Sequence, residues 1–253
     1  MHNIGGTNFW SGGESDRFGG RNIQPCRCEG WGNRIVVDGA AGREEKWRDT
    51  AGRLHRGGDL PAKVYPNEYD MWYQHGKLHR SGDLPAVILA DGTQMWYRNG
   101  ELHRGGDMPA VTSEDGRKEW WWDGKLHRSG DLPAVILANG TQEWWWHGVL
   151  HRGGDMPAVT YDDGRKEWWW HNKTHRVSGP AVTGPDGAQE WWFRGIKTEH
   201  PDLCEQAYTP ARTEEGKEQL VLLCLHDDPV VAAVAAHNPS CPEEGVVAYY
   251  LKH

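Results

Sequence analysis

Residues 124–147 read GKLHRSGDLPAVILANGTQEWWWH. The His-Arg pair in this stretch recurs as His55-Arg56, His79-Arg80, His103-Arg104, His127-Arg128, His151-Arg152 and His175-Arg176, always 24 positions apart. A fixed period of this length marks a repeat array, in which each unit buries its apolar face only against its neighbours. Residues 34–52 (RIVVDGAAGREEKWRDTAG) form a degraded first unit with Trp47 in place. Gly195-Ile196-Lys197-Thr198 drops the His-Arg pair at the far end, as a terminal unit should.

Inside the unit, Asn139-Gly140 separates residues 134–137 from residues 142–146, and Asp91-Gly92, Asp115-Gly116, Asp163-Gly164 and Asp186-Gly187 hold the same place. Such dipeptides predict type I′ hairpin turns, because both central residues need positive φ. A second turn at His147-Gly148 leads into a third short strand, so each unit is expected to be a meander of two or three strands. No segment of the array has helical apolar spacing. The fold class is therefore an all-β array of antiparallel hairpins in an elongated, twisted sheet, on the order of 60–90 Å long. An odd strand count would reverse direction at each unit. That is one reading of a second period, in which residues 76–123 and 124–171 match at 39 of 48 positions; duplication of a two-unit block is the other.

Three domains are expected. Residues 1–33 are a Gly-rich leader without assignment, residues 34–199 the array, and residues 200–253 a short helical module. In the last, Asp228-Pro229 and Pro242-Glu243-Glu244 read as helix starts, giving two or three helices stacked on the last unit or forming a separate module.

Composition bounds function. Sixteen Trp against 3 Phe imply a thin core built from indoles. A formal charge of −8 without a basic run argues against binding to nucleic-acid backbones. Five scattered Cys, no leading signal peptide and no long apolar run point to a reducing, cytoplasmic protein with no membrane span. Cys26-x-Cys28 lacks a second pair at ligand spacing, so neither a metal nor a cofactor is assigned. No phosphate loop or nucleophile elbow is present, and a non-enzymatic role follows.

Three aromatic rows precede the His-Arg pairs. The first, Trp72, Trp96, Trp120, Trp144 and Trp168, reads as core. The third includes Trp122, Trp146 and Trp170, and strand alternation puts it on the face of the first. The second, with Tyr97, Trp121, Trp145 and Trp169, faces the other way, either covered or as an exposed ladder of rings for a partner. The recurring Arg is expected to pair locally with the Asp three positions on, as Arg128 with Asp131. Repetition favours a structural role for His-Arg, since an enzyme needs one site and not six. The candidate binding set is Tyr97, Trp121, Trp145 and Trp169 with Arg104, Arg128 and Arg152.

The G-x-L-H-R-x-G-D-[LM]-P-A element and the D-G and W-W hairpin resemble the MORN-repeat variant family over about residues 34–197. Residues 228–250 (DPVVAAVAAHNPSCPEEGVVAYY) resemble one unit of the variant leucine-rich repeat, a helical solenoid element. Both resemblances imply interaction modules, and some family members are antitoxin-like. They imply binding of another protein, of antitoxin, immunity or phage counter-defence type. The alternatives are sequestration of a nucleotide or other aromatic anion by the Trp and Arg rows, and self-assembly through sheet edges.

Overall fold

Val135–Ile136 pairs with Gln142–Glu143, and Gln142–Glu143 pairs onward with Val159–Thr160 of the next unit. Repeating this step builds one antiparallel sheet of 14 strands in chain order, from Asn33–Gly39 to Gln189–Glu190. The computed structural model describes residues 33–39, 42–209, 211 and 213–253. At about 4.8 Å per strand the sheet runs on the order of 60 Å. Residues 1–32 of the leader, with the Cys26-x-Cys28 pair, lie outside the described residues, and Asn33 opens the first strand.

The chain leaves this sheet at the first-row tryptophan. Trp144 donates its N–H to the Ala158 carbonyl at 2.8 Å, and its own carbonyl accepts from His151 N–H at 3.0 Å. Beyond it, Trp145–Trp146 pairs with Val149–Leu150 in a separate two-stranded ribbon. Six such ribbons are described, and each is tied to the one before: Gly148 N–H bonds the Leu126 carbonyl at 2.8 Å. Of the two or three strands expected per unit, the long sheet takes two, and the third-strand option is corrected. Each internal unit gives two strands to the long sheet and folds the remainder into a ribbon. An even strand count returns every unit to the same direction, which removes the geometric reading of the second period.

Turn chemistry follows loop length. His147 and Gly148 both have positive φ (50° and 82°), so the type I′ turn belongs to the ribbon. At Asn139-Gly140 only the glycine is left-handed, with φ at 91°. The Asn139 side chain accepts from Thr141 N–H at 3.0 Å, while Gly140 N–H and Thr141 carbonyl both bond Leu137. This is a three-residue loop, a type I turn followed by a left-handed glycine, and not the type I′ turn that the dipeptide predicts.

The core is a thin seam. Ala110, Ala134 and Ala158 are fully buried, with Val111, Val135 and Val159 and the first-row indoles beside them. Each such indole removes on the order of 200 Å² from water, at most about 5 kcal/mol of transfer free energy.

Four helices close the C-terminal end: α1 (Pro201–Tyr208), α2 (Glu214–Cys224), α3 (Pro229–Ala236) and α4 (Glu243–Lys252). Asp228 caps α3 by accepting from Val230 N–H at 2.8 Å, with Pro229 in the first turn, as Asp-Pro predicts. Residues 230–236 of α3 are all buried, surrounded by the other three helices and the last β-unit, whose Trp191 and Phe193 join the helical core. Thr198 stands where other units have His: its N–H bonds the Trp191 carbonyl at 3.1 Å and its hydroxyl donates to Asp228 at 2.5 Å. Among the described residues no helix is long and apolar enough to cross a membrane.

Candidate functional site

The G-D-[LM]-P loop places Asp107 in the left-handed region, φ 54°. That conformation turns its carbonyl toward the Trp120 indole, which donates to it at 3.1 Å. Arg128 sits over the same indole, its guanidinium carbon 3.8 Å from the ring centroid, and grips the Asp107 carboxylate with two bonds of 2.8 and 2.9 Å. A third bond, 3.3 Å, runs to the Pro133 carbonyl. The arrangement recurs at Arg80 with Asp59, Arg104 with Asp83, Arg152 with Asp131 and Arg176 with Asp155. The expected local Arg128–Asp131 pair is therefore corrected. The Asp three residues on belongs to the next unit's arginine, because the ribbon carries each Arg back over the preceding loop. The guanidinium bonds hold Asp83, Asp107, Asp131 and Asp155 below the usual carboxylate range.

The histidines tie units in the same direction. His79 Nδ1 accepts the backbone N–H of Asn99 at 3.2 Å, and His127 Nδ1 that of His147 at 3.4 Å, while His103 Nδ1 meets both the backbone N–H of Asp123 at 3.2 Å and its carboxylate at 2.9 Å. An accepting Nδ1 requires the neutral ring with its proton on Nε2. Burial, first of all, lowers the pKa of His55, His103, His127, His151 and His175; nearby positive groups add to it, and Asp49 and Asp123 oppose it at His55 and His103. In the fifth unit Asn172 takes the place of the turn glycine, and His151 Nδ1 is buried without a partner.

On top of these rings sits the third aromatic row. Trp122, Trp146 and Trp170 contact His103, His127 and His151 at 4.3–4.6 Å between centroids, yet stay 46%, 53% and 48% exposed. The strand breaks at Trp144, so alternation does not carry across the row, and the first and third positions part company. Large apolar tips of the G-D-[LM]-P loops, Met108, Leu132 and Met156, are also exposed. Between successive loops lie grooves. One of 460 Å³ is walled by Leu132, Trp145, Trp146, His151 and Met156. The next unit repeats it at 220 Å³ with Met156, Trp169, Trp170 and His175. An earlier groove of 530 Å³ has Leu84, Tyr97, Arg98, His103 and Met108.

All of the sequence-predicted residues except Trp121 line these grooves, in two different states. Tyr97, Trp145 and Trp169 line groove walls but are half-buried, and Trp145 and Trp169 pack on Leu150, Ala158 and Val159. Trp121, Trp145 and Trp169 spend their indole N–H on Glu119, Glu143 and Glu167 at 2.7–2.9 Å. Arg104, Arg128 and Arg152 also border the grooves, with their guanidiniums engaged as above. Trp122, Trp146, Trp170 and the loop Leu/Met were not among the candidates. One signal pointed to them: a large apolar residue kept beside a Gly-Asp turn, where a core has no use for it.

Among the described residues no group of three His, Cys, Asp or Glu side chains is placed to hold a metal ion. No family model, curated protein or solved structure matches the chain.

Proposed function

We propose that the chain is a non-catalytic repeat scaffold that binds another protein along the face bearing Trp122, Trp146 and Trp170. One observation carries this reading. Three indoles in consecutive units stand about half exposed, and Trp146 and Trp170 share grooves with the exposed Leu132 and Met156. An apolar row of this extent, rimmed by charged loops, is the surface character of an interaction site.

Much of what would serve acid–base chemistry is spent on architecture, the Nδ1 atoms of His79 and His127 on backbone N–H groups and the aspartates on arginines. An anionic ligand at Arg104, Arg128 or Arg152 would have to displace Asp83, Asp107 or Asp131, which favours a protein over a nucleotide. The resemblance to MORN-repeat variants supports the same role and suggests an antitoxin, immunity or counter-defence setting.

The test compares the full chain with a variant carrying Trp122→Ala, Trp146→Ala and Trp170→Ala as bait in a bacterial lysate. Saturable, stoichiometric capture that the variant loses is the expected result. Capture indifferent to the three substitutions, or none by the parent chain, ends the reading.

A further inference from the structure

We infer that this face takes a proline-rich segment of the partner in the polyproline II conformation, one ligand turn per repeat unit; this rests on the protein-binding reading above. The first argument is spacing. Each unit adds two strands to the sheet, so equivalent groove atoms recur about every 9.4–9.8 Å. A polyproline II helix rises about 3.1 Å per residue with three residues per turn, about 9.3 Å per turn. Positions i, i+3 and i+6 of such a ligand therefore meet Trp122, Trp146 and Trp170 in step. Other regular ligands drift. Side chains on one face of a β-strand recur at about 6.6–6.8 Å. A helix anchored at i and i+7 advances about 10.5 Å and slips by about 1 Å per unit.

The second argument is groove chemistry. The walls are an exposed indole on one side and a loop Leu or Met on the other, as with Leu132, Trp146 and Met156. A flat pyrrolidine ring suits such a slot, and aromatic-lined slots at fixed spacing are how proline-rich segments are held. The ligand's backbone makes no internal hydrogen bonds, so its carbonyls stay available to the exposed indole N–H groups, and it is ordered before it binds.

The third argument is charge. The groove guanidiniums Arg128 and Arg152 are compensated by Asp107 and Asp131, and the groove histidine His151 is held neutral by burial. Among the described residues the charged groups that line this groove are thus compensated, which selects an uncharged core. The chain as a whole carries −8, so basic residues flanking the prolines are favoured over acidic ones.

Blocked decaproline is the probe, titrated into the full chain while its tryptophan emission is followed; a blocked tetraproline and an alanine-rich helical peptide of ten residues serve as comparisons. Saturable binding of decaproline is expected, with tetraproline at least tenfold weaker because it covers little more than one turn. Combining Trp146→Ala with Trp170→Ala should weaken decaproline at least tenfold. Both indoles are half exposed, and near-ultraviolet circular dichroism checks the fold. Should that variant unfold, Leu132→Asp with Met156→Asp on the groove rim is read in its place, with the same expectation.

No saturation by decaproline at about 1 mM, or equal binding by parent and variant, overturns the inference, and so does preference for the helical peptide. A partner captured through the three tryptophans while decaproline goes unbound leaves the docking face standing and sinks only the polyproline assignment. Absence of both partner and peptide binding sinks the two together.

Discussion

Arg128 and Asp107 stand 21 positions apart in different units, yet their side chains meet in a two-bond fork of 2.8 and 2.9 Å across the face of Trp120. This fork is an inter-unit clamp, and its components separate by mutation. Arg128→Ala removes the fork, the stacking and the bond to Pro133, and should cost about 2 kcal/mol. Asp107→Asn keeps a residue that tolerates the left-handed backbone, removes only the half-exposed charge and should cost about 1 kcal/mol or less. Urea unfolding of both single variants and the double variant gives the coupling. A coupling of zero would mean that the fork is ornamental and stacking does all of the holding.

Adjacent tryptophans should differ sharply in cost. Trp144 is buried in the seam, and Trp144→Ala should destabilise by about 3–5 kcal/mol. Trp146, two positions on, is half exposed, and Trp146→Ala should cost about 1 kcal/mol or less. Thermal melts of the two variants check this, and equal losses would place Trp146 in a core.

Acid should loosen the array in two windows. The folded-state pKa of His55, His103, His127, His151 and His175 lies below the ordinary 6.5, so below pH 6.5 the unfolded chain takes up protons that the folded chain refuses. Stability is then flat above that pH and falls beneath it, by up to about 1.4 kcal/mol per pH unit for each group titrating. The aspartates act lower down. Asp83, Asp107, Asp131 and Asp155 are depressed from 3.8, and their contribution is lost as pH drops through that range toward the folded values. A urea midpoint that does not move between about pH 7.5 and 5 would contradict the histidine part.

The helical end should depend on Asp228, which caps α3 and accepts from Thr198. Asp228→Ala loses both and should cost about 1–2 kcal/mol. The loss should appear first in the hydrogen exchange of α3 amides. Exchange spread evenly over sheet and helices would instead make cap and array one cooperative block.

Period, hairpins and the buried first row were legible in the sequence because each depends on local chemistry: Asp-Gly and Asn-Gly pairs, β-branched runs and a tryptophan at constant offset. The Asp228 cap was legible for the same reason. The partner of each arginine was not. Asp131 is three residues from Arg128 along the chain, and only the ribbon's return over the previous loop reveals Asp107 as the nearer carboxylate. The exposed row was hidden likewise, since the alternation rule presumes an unbroken strand and the strand ends at Trp144. The first turn departs from type I′ because Asn-Gly does not by itself report the three-residue loop that contains it.

The two-strand contribution of each unit to the long sheet has a consequence for inheritance. Excising or inserting one 24-residue block joins like to like, with no strand turned around and no face exchanged. Unequal crossing-over at the DNA level can therefore lengthen or shorten this protein while every joint stays sound. The number of grooves becomes a quantity that selection can adjust one step at a time, like links in a measuring chain.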